Sequence, residues 1–126
     1  MATSKFVIEL APVPASRPRV GKFGTYYAKG YADWMKEAAK FVPAEKLQGT
    51  LAVFLEVVCK APAKRTSDAP VGDVDNYAKG PLDVITKAGL WDDDRQVVRL
   101  CVEKRYANAG ETPCTKVSVV EVGHGN

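Results

Sequence analysis

The sequence predicts an α+β fold, a single small domain in which one mixed β-sheet carries two helices. Three observations lead to this prediction. A chain of 126 residues with 46% hydrophobic side chains is sized for one core, so we expect one domain over residues 1–126. Four segments show strand-like alternation or continuous apolar runs, and two others repeat apolar residues at helical spacing. Their order, β(β)αβαββ, favours a mixed sheet with both helices on one face.

The first half of the chain is predicted to contain a strand, a hairpin arm and a helix. Residues Lys5–Leu10 alternate and are rich in strand formers. Ala11–Arg19 holds three prolines and is expected to be a loop, and the glycines and aromatic residues of Val20–Ala28 suggest a short hairpin. Tyr31–Val42 carries an apolar stripe at helical spacing, which predicts a core-facing helix that ends before Pro43.

The second half supplies the remaining strands around a second helix. Thr50–Lys60 reads as a long apolar strand, and Val97–Tyr106 and Thr115–Val122 alternate like strands with one buried face. Between them, Asn76–Ala88 is predicted to form a helix that Gly89 ends in the left-handed conformation.

A proline complicates the second helix. Pro81 would remove a backbone hydrogen bond from the helix interior, and its ring would crowd the preceding turn. The helix is therefore either kinked at Pro81 or has its regular part beginning there, with Pro81 as a first-turn residue.

The composition argues against several classes of protein. The three cysteines, Cys59, Cys101 and Cys114, are odd in number and far apart, which disfavours a disulfide framework or a cysteine-rich zinc site. Cys59 and Cys101 sit in apolar runs and are expected to be buried thiols. The only histidine, His124, lies near the chain end, so an enzyme of this sequence must rely on carboxylates and lysine. With no membrane-length apolar run and no signal-peptide pattern, a cytoplasmic location is expected.

Charge is distributed unevenly along the chain, although the net charge is only +3. Residues 1–72 hold 11 basic and 6 acidic residues, whereas residues 73–94 hold 2 basic and 6 acidic residues. A basic protein with one acidic segment suggests a polyanion as partner and a site for a cation, and the alternative is a set of solvated faces without function.

The acidic segment begins with two aspartates, Asp73 and Asp75, that are separated by one residue. In an extended chain their carboxylates would point to the same side, with Val74 directed into the core. Two neighbouring carboxylates suit Mg²⁺, which prefers oxygen ligands. The structural alternative is that Asp75 caps the N-terminus of the following helix.

A second acidic cluster, Asp92, Asp93 and Asp94, follows the predicted helix. It is either part of the same cation site or a solvated turn, since turns favour aspartate. The helix alone separates the two clusters by nearly 20 Å at about 1.5 Å per residue. The sequence pattern does not show whether the chain folds back far enough to bring them together.

Lys79 lies one helical turn after Asp75, on a polar stripe with Asn76, Asp83 and Lys87. In one interpretation this stripe is a solvated row of ion pairs, which contribute little. In the other, Lys79 faces the metal site, where it stabilises a phosphorane-like transition state or orients the attacking water.

The segment from Gly72 to Leu100, GDVDNYAKGPLDVITKAGLWDDDRQVVRL, resembles the core motif of the RusA family of Holliday junction resolvases. That motif has the form D-x-D-N-x-x-K, then a helix with a Leu-Asp pair, then a glycine, an Asp-Asp pair and Gln-Val. The sequence RPRV at Arg17–Val20 also resembles an N-terminal segment of phage-type members. The core motif is matched without gaps by Asp73, Asp75, Asn76, Lys79, Leu82, Asp83, Gly89, Asp93, Asp94, Gln96 and Val97.

The resemblance implies a RusA-like fold and a homodimeric, Mg²⁺-dependent endonuclease that cuts four-way DNA junctions, with Mn²⁺ as a substitute metal. It implies catalytic roles for Asp73, Asp75, Asp94 and Lys79, and metal ligation by Asp73, Asp75, Asp93 and Asp94. It further implies a cytoplasmic setting in a bacterial or phage-infected cell, a branched-DNA partner, no nucleotide cofactor and no membrane association. Many members carry Arg or Lys directly before the first aspartate, where this chain has Gly72.

The basic residues outside the acidic segment are candidates for phosphate contacts. We expect Arg17 and Arg19 to contribute first, and Lys64 and Arg65 to replace the contact that Gly72 cannot make. The full predicted set of DNA-binding residues is Arg17, Arg19, Lys22, Lys64, Arg65 and Asn76.

Three other functions remain open at this point. One is a flap or branch nuclease with the same carboxylate cage, and another is a catalytically inactive protein that binds branched DNA. The third, a hydrolase for small phosphates, fits the basic arm less well.

Overall fold

The computed structural model describes residues 3–15, 19–21, 24–26, 29–64 and 67–123, with backbone alone for 19–21, 24–26 and Lys29. A 3₁₀ turn at Ala39–Phe41 extends the first helix, and a second at Asp94–Gln96 precedes a strand. In chain order the elements are β1 (Thr3–Ile8), β2 (Arg19–Gly21), β3 (Gly24–Tyr26), α1 (Lys29–Ala38), β4 (Leu51–Cys59), α2 (Val74–Ala88), β5 (Val97–Tyr106) and β6 (Cys114–Glu121).

Four of the strands form one mixed sheet in the order β1-β6-β4-β5. β6 pairs antiparallel with both β1 and β4, whereas β4 and β5 run parallel and are joined through α2. β2 and β3 form a separate antiparallel hairpin, as the glycine-rich arm predicted. The predicted α+β class is therefore confirmed, with a βαβ unit around the acidic segment.

Both helices pack on the same face of this sheet. Alternate residues of β4, namely Leu51, Val53 and Leu55, are buried in one cluster with Trp34 of α1 and Ile85 of α2. Alternation in a strand sends such residues to one side, so the shared cluster places the two helices together above the sheet. This arrangement confirms the expected one-sided helical layer.

Close contact between the helices depends on Gly80 of α2. A Cβ atom at this position would lie 2.8 Å from Cζ3 of Trp34 and 3.2 Å from Cε1 of Tyr31. Neither aromatic side chain can move away easily, because both are buried. The missing side chain at Gly80 therefore sets how near α1 and α2 approach.

Replacing Gly80 by alanine is expected to destabilise the protein by about 1 to 3 kcal/mol, because the added methyl group overpacks the helix contact. The sign of the change in the free energy of unfolding is informative, since replacing glycine by alanine in an unhindered helix interior stabilises a protein by about 1 kcal/mol. Urea denaturation measures the difference. Gly30→Ala in α1 is the matched control, because nothing lies within 4 Å of a Cβ there, and it should leave stability equal or higher. Equal stability of the wild type and Gly80→Ala would contradict the packing argument.

The second helix differs from its prediction at its N-terminus. It begins at Val74, and Asp73, with extended backbone, is the N-cap residue in place of Asp75. Pro81 lies in the helix interior, so the helix neither begins there nor ends there. Gly89 closes the helix at φ +88°, as predicted.

The face of the sheet opposite the helices carries a network of ion pairs. Arg105 donates to Glu56 at 2.9 Å and to Glu111 at 2.6 and 2.7 Å. The hydrogen bonds from Arg105, together with the backbone N–H of Asn108, lower the pKa of Glu111 to about 2. These contacts fix the end of the sheet near the β5–β6 connection.

The cysteines are free, as expected, although only two of them are buried. Cys59 and Cys114 lie in the interior, and burial raises the pKa of both thiols. Cys101 is partly exposed, because it lies on β5 at the sheet edge, so the expectation that it is buried is wrong. Among the described residues, neither helix is long and apolar enough to cross a membrane.

Candidate metal centre

A cleft of about 490 Å³ lies between α2 and β5. Its apolar lining comes from both elements, and its polar lining consists of three carboxylates and one lysine. The lining residues are Val74, Asp75, Ala78, Lys79, Leu82, Asp83, Asp94, Leu100 and Val102.

The helix supplies one wall of the cleft through residues four positions apart. Asp75, Lys79 and Asp83 repeat at this interval, so they lie along one flank of α2. Asp75 is in the first turn of the helix, where the backbone dipole favours a negative charge. Within the described part of the chain, Lys79 forms no salt bridge with Asp75 or Asp83, and it is an exposed residue of the cleft wall.

Asp94 reaches the same cleft because the connection after α2 turns back sharply. Gly89 ends the helix in a left-handed conformation, and Leu90 and Trp91 are completely buried directly after it. The indole N–H of Trp91 donates to Thr86 at 2.7 Å, which anchors the turn to the last part of the helix. The return path thus places Asp94 at the start of β5, beside the flank that carries Asp83. One aspartate of each acidic cluster, Asp75 and Asp94, therefore lines the cleft, whereas Asp73, Asp92 and Asp93 do not.

Asp93 neighbours Asp94 but does not line the cleft, and its carboxylate caps the 3₁₀ turn. Its carboxylate accepts a hydrogen bond from the backbone N–H of Arg95 at 2.9 Å, and the Gln96 side chain accepts from the backbone N–H of Asp93 at 3.0 Å. These reciprocal bonds form a capping box. The Arg95 N–H lowers the pKa of the Asp93 carboxyl, and a hydrogen bond with the Asp94 carboxyl lowers it further. Asp93 lines a separate polar hollow together with Asp92, which is paired with Lys46 at 2.6 Å.

Asp73 is next to the cleft but does not line it. The side chain is exposed and makes no capping hydrogen bond to the helix that it precedes. The expectation that Asp73 and Asp75 point to one side of an extended chain, with Val74 in the core, is wrong. Val74 already belongs to the helix and is an exposed residue, so the two carboxylates follow helical and not strand geometry.

The loop before Asp73 is held by side chains through four successive carbonyl groups. Tyr106 donates to Ala69 at 3.0 Å, and Tyr77 donates to Val71 at 2.6 Å. The ammonium group of Lys104 donates to both Pro70, at 2.9 Å, and Gly72, at 2.5 Å. We call these three donors, Lys104, Tyr77 and Tyr106, the carbonyl clamp.

The carbonyl clamp has two further features that make it rigid. Burial and the neighbouring Cys59 raise the pKa of Tyr77 to about 12, so its hydroxyl remains a donor throughout the physiological range. Gly72 has φ +107°, and a Cβ there would lie 3.0 Å from Cε2 of Tyr77. The positive φ and the nearby Tyr77 ring therefore favour glycine at this position of the loop. The sequence analysis did not predict the clamp, although Lys104 alternates with Leu100 and Val102 on the side of β5 that faces the cleft.

Few of the predicted DNA-binding residues lie in the described part of the chain. Lys64 is exposed in the loop before α2. Asn76 is partly buried in the first turn of the helix, where its backbone carbonyl accepts a hydrogen bond from the backbone N–H of Ala15 at 2.8 Å. Arg19 belongs to β2, with its side chain not described. Outside the described residues lie Arg17, Lys22 and Arg65.

The donor set of the cleft is compatible with Mg²⁺. Among the described residues, no three side chains of His, Cys, Asp or Glu are grouped closely enough to hold a metal by themselves. Mg²⁺ does not need such a cage, since it is commonly bound by one or two carboxylates, with water and substrate phosphates completing the octahedron. Asp75 and Asp94, which line one cleft and form no salt bridge within the described residues, are oxygen donors of the kind that Mg²⁺ takes.

The fold and the site together define a small α+β protein with three carboxylates and one lysine around one cleft. Residues 9–119 match the family model for endodeoxyribonuclease RusA. The chain therefore belongs to the RusA family of endodeoxyribonucleases, a membership that implies the resolution of Holliday junctions. No curated protein matches the chain.

Proposed function

We propose that this protein is a Mg²⁺-dependent endodeoxyribonuclease that resolves four-way DNA junctions by paired symmetric nicks, as a homodimer in the cytoplasm of a bacterial or phage-infected cell. The observation that carries the proposal is the cleft between α2 and β5. It combines Asp75, Lys79 and Asp94 in a chain whose residues 9–119 match the RusA family.

Each side chain of the cleft has a defined role in this proposal. Asp75 and Asp94 would hold Mg²⁺, which when bound lowers the pKa of a ligated water and neutralises the departing 3′ oxygen. Lys79 places a positive charge on the same wall, where it stabilises the extra negative charge of the pentavalent transition state. Asp73, the N-cap residue of the helix, is a further proposed catalytic residue and metal ligand, on the strength of the family resemblance.

The N-terminal end of α2, where Asp75 lies, can also contribute to phosphate binding. Unpaired backbone N–H groups and the positive end of the dipole are concentrated at this end of α2. Lys64 in the preceding loop and the basic residues at Arg17, Arg19, Lys22 and Arg65 are the proposed contacts for the flanking backbone.

The test is a cleavage assay on a synthetic four-way junction with Mg²⁺, with nicks mapped on all four strands. Wild-type protein should make paired nicks at symmetric positions that DNA ligase can seal. Asp75→Asn should abolish cleavage but retain junction binding, because it removes a charge from the cleft and leaves the basic surface intact. Asp68→Asn, an exposed aspartate in the loop before the clamp, is the matched control and should cleave like wild type.

The same experiment separates the competing functions. Equal cutting of flaps or Y-structures without symmetric pairs would favour a general branch nuclease. Tight junction binding without nicks at any Mg²⁺ or Mn²⁺ concentration would indicate an inactive binding protein. Near wild-type cutting by Asp75→Asn would overturn the assignment of the cleft. DNA binding that does not weaken with salt would contradict the proposed phosphate contacts.

A further inference from the structure

The turn that carries Asp94 to the cleft is attached to the loop before β4, which we define as residues 46–49 and call the anchor loop. Three contacts join the two segments. They are the Leu47 N–H to the Leu90 carbonyl at 2.7 Å, Lys46 to Asp92 at 2.6 Å, and the Gln96 side-chain amide to the Gly49 carbonyl at 3.0 Å. The place of Asp94 in the cleft therefore depends on a segment much earlier in the chain.

The Gln96 side chain uses both ends of its amide. Its oxygen accepts from the backbone N–H of Asp92 at 2.8 Å and from that of Asp93 at 3.0 Å, and its NH₂ group donates to the Gly49 carbonyl. The two N–H donors fix the orientation of the amide, because a flipped amide would set its NH₂ group against them. Gln96 thus joins the backbone directly before Asp94 to the anchor loop.

The three contacts differ in how closely they control the Asp94 backbone. The side chains of Lys46 and Asp92 are 46% and 67% exposed, and an exposed ion pair contributes little. The backbone contact of Leu90 lies at the start of the turn, four residues before Asp94. Gln96, by contrast, binds the N–H groups of the two residues that directly precede Asp94.

We propose that Gln96 is a positioning residue for the metal cleft, because its amide holds the backbone that presents the Asp94 carboxylate against the anchor loop. The inference rests on the proposed role of Asp94 as a metal ligand. Gln96 does not line the cleft, so it acts through Asp94 and not on the substrate. Replacing a residue that orients a metal ligand lowers metal affinity by about 10- to 100-fold.

Glutamate at position 96 separates position from charge. A glutamate oxygen would still accept from the N–H groups of Asp92 and Asp93, but its other oxygen would face the Gly49 carbonyl with no hydrogen to donate. Two acceptors at hydrogen-bond distance repel, so the turn would move away from the anchor loop. The added negative charge alone would strengthen cation binding in the cleft. Position and charge therefore predict opposite signs for Gln96→Glu.

Mn²⁺ binding, measured by isothermal titration calorimetry without DNA, decides between the two signs. Gln96→Glu should raise the Mn²⁺ dissociation constant about tenfold, the lower end of the range for residues that orient a ligand. Gln48→Glu is the matched control, because it adds the same charge beside the same polar hollow and leaves the Gln96 amide unchanged. The control should bind Mn²⁺ as tightly as the wild type or more tightly.

A second variant, Gln96→Leu, removes all three hydrogen bonds without adding a charge and should weaken Mn²⁺ binding at least as much as Gln96→Glu. Amide hydrogen exchange checks the geometry. The Asp92 and Asp93 N–H groups should exchange faster in Gln96→Leu than in the wild type, because they lose their acceptor. Urea denaturation confirms that each variant is folded under the conditions of the titration. Equal exchange in the wild type and Gln96→Leu would contradict the amide contacts.

Junction cleavage gives a readout that a purely structural role would not change. Gln96→Glu should need about tenfold more Mg²⁺ for half-maximal cleavage, with a rate near wild type at saturating Mg²⁺. Wild-type or tighter Mn²⁺ binding by Gln96→Glu would overturn the inference. Binding that Asp94→Asn weakens and neither Gln96 variant weakens would overturn it alone and leave the proposed function standing. Binding that Asp94→Asn leaves unchanged would remove Asp94 from the metal site, and the inference with it.

Discussion

Replacing Asp94 by asparagine is expected to lower the rate of junction cleavage by about 100-fold or more, the scale on which loss of one group that stabilises a transition state acts. The same replacement at Asp93 is expected to retain most of the activity. Both changes remove one negative charge at neighbouring positions, yet only Asp94 lines the cleft. Asparagine preserves the capping role of Asp93, because its amide oxygen still accepts the Arg95 N–H.

The alanine variants separate chemistry from folding at these two positions. Asp93→Ala should cost about 1 kcal/mol in the free energy of unfolding, the usual value of an N-cap, whereas Asp94→Ala should leave stability near wild type. Single-turnover cleavage rates and urea denaturation of all four variants make the comparison. Equal loss of cleavage in Asp93→Asn and Asp94→Asn would show that both carboxylates bind the metal, as the family resemblance implies. Full cleavage by Asp94→Asn would remove Asp94 from the site.

Much of the fold could be predicted because periodicity reports which face of an element is buried. The alternation of Val97–Tyr106 gave the limits of β5 correctly, and the apolar stripe through Tyr31 and Trp34 identified the packed face of α1. The limits of β1 were less predictable, because Thr3 and Ser4 are held in the strand by pairing with β6. Such pairing depends on a partner more than 100 residues away along the chain, which a local pattern does not contain.

The candidate site was predictable where it depends on one element and not where it depends on the crossover. The spacing of Asp75 and Lys79 predicted that they lie on one wall of the cleft, because side chains four residues apart on a helix lie on the same face. The approach of Asp94 required the turn anchored by Trp91, and the different role of Asp93 required the hydrogen bonds to Arg95 and Gln96. Neither the approach of Asp94 to the cleft nor the capping role of Asp93 can be predicted from three consecutive aspartates.

The carbonyl clamp leads to the second large expected effect. Replacing Lys104 by methionine should destabilise the protein by about 2 to 3 kcal/mol, because a charged donor is lost and two carbonyl groups in a partly buried loop lose their partner. Methionine keeps the length and apolar stem of lysine, so the loss reports the ammonium group and not packing. Chemical denaturation measures this change. Lys87→Met, at the exposed end of α2, is the matched control and should cost at most about 1 kcal/mol, the usual value of a basic residue in the last turn of a helix.

Lys104→Met should also slow cleavage at temperatures where it is fully folded, since the clamp holds Gly72, which directly precedes Asp73 and lies three residues before Asp75. Lys104 is a positioning residue, so its loss should raise the Mg²⁺ concentration needed for half-maximal cleavage, a readout that simple destabilisation of a folded protein does not move.

Tyr77→Phe removes one neighbouring donor and should produce the same shift to a smaller degree, since it leaves only the Val71 carbonyl unpaired. A Lys104→Met protein that is less stable but has an unchanged Mg²⁺ dependence and rate would confine the clamp to folding. If stability, rate and metal dependence were all unchanged, the carbonyl contacts would have no energetic role. The shift in the Mg²⁺ concentration for half-maximal cleavage therefore measures whether the hydrogen bonds of Lys104 on β5 position Asp73 and Asp75 at the start of α2.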